Sequence, residues 1–190
     1  MSVKVLFNKF FHLNEQGDAS VSSAPERSTL EPKVRVLFVC MGNICRSPTA
    51  RGVFEKLVEE AGLSHAIETD SAGTHAYHVG NLPDKRAIAA ALQRGYDLSR
   101  YRARRLSVED FTRFDYILAM DHENLSAMRE SLPTESEQRV HLLMHFARAS
   151  AQPEVPDPYY GGGGGFVRVL DLVEDAARGL LAHIRAQHNL

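Results

Sequence analysis

The sequence predicts a three-layer α/β fold, a four-stranded parallel sheet flanked by helices. Three observations predict it. Val34 to Cys40 is almost continuously apolar and β-branched, the composition of a strand covered on both faces. Strand-like and helix-like segments then alternate along the chain. The last segment, from Phe166 to Ile184, repeats its apolar residues at helical spacing.

The elements follow in order. Residues 1 to 13 set Val3, Leu6, Phe7, Phe10 and Leu13 on one helical stripe, and residues 14 to 33 are polar and rich in serine. Residues 1–33 therefore read as a flexible N-terminal extension, and residues 34–190 as the compact domain. After the Val34–Cys40 strand, Ser47 can cap a helix with Pro48 at its first position. Ala50, Val53, Phe54, Leu57, Val58 and Ala61 keep helical spacing up to Gly62, a natural stop. Ala66 to Ser71 reads as a second strand, and Asp84 to Arg94 as a helix ended by Gly95. Ser107 to Phe111 predicts a short helix, and Asp115 to Met120 a buried strand. A helix near His122 to Glu130 and a weaker strand, Arg139 to Leu143, precede the final helix.

Bulk numbers exclude several classes. The 190 residues suit one domain, and 22 basic against 24 acidic side chains leave a formal charge of −2. Such balance gives no basis for nucleic-acid binding, which shows a clustered basic excess. No run of apolar residues is long enough for a membrane span, and the N-terminus lacks the pattern of a signal peptide. The expected compartment is the cytoplasm. Two cysteines are too few for a secreted disulfide framework, and no second pair completes a zinc site.

In α/β folds the ligand site lies beyond the carboxyl ends of the strands. That directs attention to Cys40-Met41-Gly42-Asn43-Ile44-Cys45-Arg46-Ser47, which joins a strand end to a helix start. Such a junction aims backbone N–H groups and the positive end of a helix dipole at one spot, a setting for an anion. Gly42 and Asn43 are residue types that accept positive φ, as a tight cradle requires. Arg46 supplies a planar fork for two oxygens of a phosphate. Cys40 opens this electropositive bowl, where negative charge on a sulfur is stabilised and the thiol becomes a nucleophile. Five intervening residues let the chain wrap a tetrahedral dianion, with sulfur below and guanidinium beside it. Ser47 is placed to donate to the sulfur. Inert core cysteines and a zinc pair are the plainer readings of Cys40 and Cys45, and neither accounts for Arg46-Ser47-Pro48.

The run Val39 to Pro48 resembles the signature of the low-molecular-weight protein tyrosine phosphatases. Three further motifs follow in that family's order: Asp70-Ser71-Ala72-Gly73-Thr74, then Asp115 to Asp121, then Pro156-Asp157-Pro158-Tyr159-Tyr160-Gly161. The resemblance implies that Cys40 attacks phosphorus and forms a phosphocysteine. It implies that Asp157 protonates the departing phenolic oxygen and later activates water. Met41, Gly42, Asn43, Ile44, Cys45 and Ser47 would line the phosphate, with Asn43 and Ser71 as supports. Tyr77 and Tyr159 would flank the substrate ring, favouring phosphotyrosine over shorter phosphoserine. Ile44 points the same way, since relatives acting on phosphoarginine carry threonine there. No cofactor or metal is implied. The implied partner is a phosphotyrosine-bearing protein, with a tyrosine kinase as one candidate.

The chain departs from this pattern in two places besides the extension. Some relatives support the loop with a histidine and a glutamate, and here Tyr101 and Arg51 stand at those positions. Loop support then falls to Asn43, Ser71 and Tyr101. The run Gly161 to Gly165 beside the acid loop is also unusual. His75 and His78 read as surface residues. Rival activities on the same fold are arsenate reduction, which uses more cysteines than this chain has, and phosphoarginine hydrolysis. A phosphate-binding module without turnover would need neither Cys40 nor Asp157.

Overall fold

The computed structural model describes residues 32–130, 133–160 and 164–190, so the stripe at residues 1 to 13 and Gly161 to Gly163 lie outside the described residues. Four parallel strands form one sheet in the order β2-β1-β3-β4: β1 Val34–Cys40, β2 Ile67–Gly73, β3 Tyr116–Ala119 and β4 Val140–Leu142. The chain steps from β1 to β2 on one side and then to β3 on the other. The carboxyl end of β1 is thus the topological switch point, where loops splay apart and leave a crevice.

Residues alternate between the faces of β1 as a strand demands. Val34, Val36, Phe38 and Cys40 enter one core with α1 (Arg46–Glu60) and α5 (Gly164–His188). Leu37 and Val39 enter the other, with Phe111 of α3 (Val108–Arg113) and Leu125 and Met128 of α4 (His122–Arg129). On the first face Phe38 meets Phe54 edge-on, with ring centroids 5.6 Å apart. Both rings are fully buried, and losing either would cost about 3–5 kcal/mol. The sheet is covered on both sides, as the unbroken apolar run of β1 requires.

Four of the helices show how one end is satisfied. Gly62, at φ 71°, ends α1 by sending its N–H to the Glu59 carbonyl, while Leu63 reaches back to Val58. Asp84 caps α2 (Lys85–Leu92) through the Arg86 amide. Ser107 and Asp110 cap α3 reciprocally. Asp121 caps α4 through the Asn124 amide at 2.7 Å. The start of α1 differs from expectation. Helix geometry begins at Arg46, with Cys45 as the preceding residue and no side-chain cap. Ser47 lies inside the first turn, and its hydroxyl is engaged by Asn43 and the Ala72 carbonyl instead of capping the helix.

Two close approaches involve glycines. At Gly179 of α5 a Cβ would lie 1.8 Å from the Phe146 carbonyl oxygen, so the helix rests directly on the 3₁₀ turn Leu143–Phe146. At Gly73, the last residue of β2, a Cβ would lie 2.8 Å from the Met41 carbonyl oxygen. The second contact presses the end of β2 against the loop that follows β1.

Candidate active site

The loop from Met41 to Cys45 is held by its carbonyls. Thr74 and His75 donate their amides to the carbonyls of Cys40 and Met41, both at 2.9 Å. Asp84 donates to the Ile44 carbonyl at 2.7 Å, and Thr49 to that of Cys45 through both main chain and side chain. A planar trans peptide points its N–H opposite its C=O. Carbonyls fastened outward therefore turn the amides of Met41, Gly42, Cys45 and Arg46 into the bowl. Among the described residues none of the amides from Met41 to Cys45 donates to a protein acceptor. Asn43 takes φ 54°, the left-handed conformation needed to close the ring.

Cys40 sits at the end of β1, almost wholly buried, with its Sγ 3.1 Å from Ser47 Oγ. The Ser47 hydroxyl also receives Asn43 Nδ2 at 2.8 Å and lies 3.3 Å from the Ala72 carbonyl. Its single proton can swing from that carbonyl to the sulfur when the sulfur carries charge. Arg46 is 2% exposed, so its charge must be matched. Its Nη2 donates to Asp157 at 2.8 Å, and its Nη1 to the Val155 carbonyl at 3.2 Å and to Asp121. Burial pulls the guanidinium pKa down, but Cys40, Asp121 and Asp157 together hold it above the ordinary arginine value. Cys45 behaves oppositely to a nucleophile. Burial first, then the charges of Asp84, Cys40 and Asp157, push its thiol up to about 12, so it stays protonated near neutrality.

Asp157 reaches the bowl because its loop is tied to β3. Val155 donates to the Met120 carbonyl at 2.8 Å, and Tyr159 donates to Asp157 Oδ1 at 3.0 Å in a tight turn. Arg86 stacks over the Tyr159 and Phe166 rings, donates to the Tyr159 carbonyl, and pairs with Asp84. A cleft of about 220 Å³ opens above the bowl, walled by Met41, Ile44, Tyr77, His78, Tyr159 and Tyr160. Its size and apolar walls suit one aromatic ring. A larger hollow of about 540 Å³ beside Glu55, Tyr96 and Tyr101 holds neither cysteine nor any of the loop amides. The chemistry therefore belongs to the smaller cleft.

The structure brings together Cys40, Met41, Gly42, Ile44, Cys45, Arg46, Asp157, Tyr77 and Tyr159 around that cleft. Asn43 and Ser47 lie beneath it, and Ser71 is buried on β2, paired in register with Phe38. His78 departs from the surface reading, because it lines the cleft and packs on Gly42, whose absent side chain leaves room for the imidazole. Tyr101 does not reach the loop. Its hydroxyl donates to Glu55 at 2.6 Å, and Arg51 lies over its ring at 4.4 Å. Sequence reasoning missed Asp121, Arg104 and Arg86 as site-building residues. Asp121 lies two residues beyond β3 and immediately before α4, a position that could have marked it. Among the described residues no group of three or more His, Cys, Asp or Glu side chains is arranged to hold a metal ion, and no helix is long and apolar enough to cross a membrane.

Comparison with known proteins accords with this geometry. The model of the family described as low molecular weight phosphotyrosine protein phosphatase matches residues 35–190. This chain belongs to that family. Among low-molecular-weight phosphatases, a Streptomyces coelicolor protein named low molecular weight protein-tyrosine-phosphatase is 47% identical over 156 residues, covering 80% of this chain and 94% of its own. The Homo sapiens low molecular weight phosphotyrosine protein phosphatase is 42% identical, covering 70% and 85%. The crystal structure of an Entamoeba histolytica protein tyrosine phosphatase with Hepes in its active site superposes with a TM-score of 0.79 at 39% identity, over 83% of this chain and 99% of that one. YfkJ from Bacillus subtilis gives 0.78 at 36% identity, over 83% and 98%. The four-stranded parallel sheet with its loop after the first strand is the fold of this family.

Proposed function

We propose that this chain hydrolyses phosphotyrosine in proteins through a phosphocysteine on Cys40. One observation carries the reading: outward-fastened carbonyls turn a ring of amides toward a point between Cys40 and Arg46, with Asp157 at its rim. Three equatorial phosphoryl oxygens fit those amides and the Arg46 fork. The Cys40 sulfur attacks phosphorus from below while the bond from phosphorus to the phenolic oxygen breaks. Asp157 gives its proton to that oxygen, which matters because a phenol of pKa about 10 leaves poorly as an anion. In the second step Asp157 takes a proton from water as the water oxygen attacks phosphorus. The sulfur–phosphorus bond breaks, and Ser47 steadies the departing sulfur at 3.1 Å.

The cleft reads a ring and a phosphate, so many phosphotyrosine proteins fit, a tyrosine kinase bearing its own phosphotyrosines among them. A thiol nucleophile that must stay reduced fits the cytoplasm. The test is turnover of a phosphotyrosine peptide with chelator present. Hydrolysis should proceed unchanged, and Cys40→Ser should abolish it. Persistent turnover in the Cys40→Ser protein overturns the mechanism.

A further inference from the structure

Six side chains of alternating charge run beside the phosphate loop: Arg100, Glu55, Arg51, Asp70, Arg104 and Asp110. Arg100 pairs with Glu55, and Glu55 accepts Arg51 Nε at 2.8 Å. Arg51 Nη1 donates to Asp70 Oδ1 at 2.7 Å, and Asp70 Oδ2 accepts Arg104 Nε at 2.8 Å. Arg104 then closes on both oxygens of Asp110, at 2.8 and 3.1 Å. Three arginines match three carboxylates, so the ladder adds no net charge to the bowl nearby.

The ladder meets the loop at Arg104. The main-chain N–H of Arg104 donates to Asn43 Oδ1 at 3.0 Å, and its carbonyl accepts Gly73 N–H at 2.8 Å. The segment around it belongs to no helix; its main chain bridges Gly73 on β2 and exchanges hydrogen bonds with Gly80 and Asn81 through Ala103. The Arg104 side chain adds two further anchors to this backbone. The guanidinium binds Asp70 on β2 and Asp110 on α3 through charge-assisted bonds, roughly twice as strong as neutral ones. Asn43 in turn spends its Oδ1 on Arg104 and its Nδ2 on Ser47. Both ends of this amide are committed while its backbone holds a left-handed turn.

We propose that Arg104 is a positioning residue. Its side chain, clamped between Asp70 and Asp110, fixes the main-chain donor that locks Asn43, and Asn43 sets the amide ring and the Ser47 hydroxyl beside Cys40. The ladder does for this loop what no histidine–glutamate pair is present to do, and Arg51 extends it toward Glu55 and Tyr101. The inference rests on the phosphatase reading, and its test separates the two.

The test is a double-mutant cycle of Arg104→Gln with Asn43→Ala, read by kcat, KM and competitive inhibition by inorganic phosphate. Arg104→Gln should lower kcat/KM about tenfold in the native background and less than about twofold beside Asn43→Ala, because coupled residues are not additive. The inhibition constant for phosphate should rise several-fold in Arg104→Gln and return toward the native value in Arg104→Lys, which keeps one carboxylate partner. Loss of folded protein lowers kcat but leaves that constant unmoved, so it is read on whatever fraction folds. Additive losses, or an unmoved phosphate constant, overturn the proposal. Absence of turnover in the unsubstituted chain would instead sink the phosphatase reading.

Discussion

Arg46 donates to Asp157 at 2.8 Å, so the phosphate clamp and the proposed general acid are joined before any substrate arrives. A phosphoryl group entering the bowl competes for the same guanidinium nitrogen. Binding thereby releases the carboxylate toward the leaving oxygen. Asp157→Asn keeps the shape but carries no transferable proton. It should lower kcat for phosphotyrosine by about 10²–10⁴-fold and affect an ester of a much more acidic phenol far less. Parallel steady-state measurements on both substrates check this, and equal losses on the two would remove Asp157 from the acid role.

Gly73 controls the loop from the side of β2. A Cβ there would meet the Met41 carbonyl oxygen at 2.8 Å and the Gly42 carbonyl carbon at 3.1 Å. Both atoms are backbone, so relief requires the phosphate loop itself to move. Displacement of an ångström costs about 100-fold in a positioned reaction. Gly73→Ala should therefore lose kcat/KM by roughly that factor, while phosphate inhibition weakens and the thermal midpoint falls only slightly. Native kinetics in this variant would show that the contact is slack.

What the chain revealed in advance followed the range of its signals. Cys40, Gly42, Asn43 and Arg46 sit within seven consecutive residues, and the strand before them and helix after them are local patterns. Their convergence is set by one β–α turn. Asp157 was reachable only through the resemblance, because 111 residues separate it from Arg46. Nothing local marks Arg104 either. Its guanidinium and amide face three different elements, and such pairings are decided by how β2, α3 and the loop pack. The start of α1 misled for a related reason. Ser47 before Pro48 is a good cap in isolation, but tertiary contacts with Asn43 and Ala72 took its hydroxyl.

Glu55 makes stability depend on pH. Burial raises its carboxyl, but hydrogen bonds from Tyr101, Arg51 and Thr69 outweigh that and hold it below its ordinary 4.5. With the folded pKa lower than the unfolded one, the unfolded chain binds more protons between the two. The contribution is complete above about pH 4.5 and is lost as pH falls through the folded value. Glu55→Gln should cost about 1–3 kcal/mol near neutrality. The gap between variant and native urea midpoints should narrow as the pH is lowered below that range. A gap independent of pH would mean that the charge on Glu55 contributes nothing.

Gly179 offers the contrasting case to Gly73, a close approach far from the chemistry. Its Cβ position falls 1.8 Å from the Phe146 oxygen and 3.0 Å from the Phe146 carbonyl carbon, again backbone atoms that no rotamer change can clear. The contact joins α5 to the 3₁₀ turn after β4, and α5 also supplies Val169, Leu170, Val173, Ala176, Ala177 and Leu180 to the main core. Gly179→Ala must therefore lift the helix off its seat or bend the turn. Overpacking of this kind costs about 1–3 kcal/mol, and more where backbone must shift. Urea unfolding should show at least that loss. The folded fraction, counted by titrating Cys40 with a phosphotyrosine-like alkylating agent, should keep its native kcat. A fall in kcat per titrated site would show that strain at Phe146 travels to the bowl.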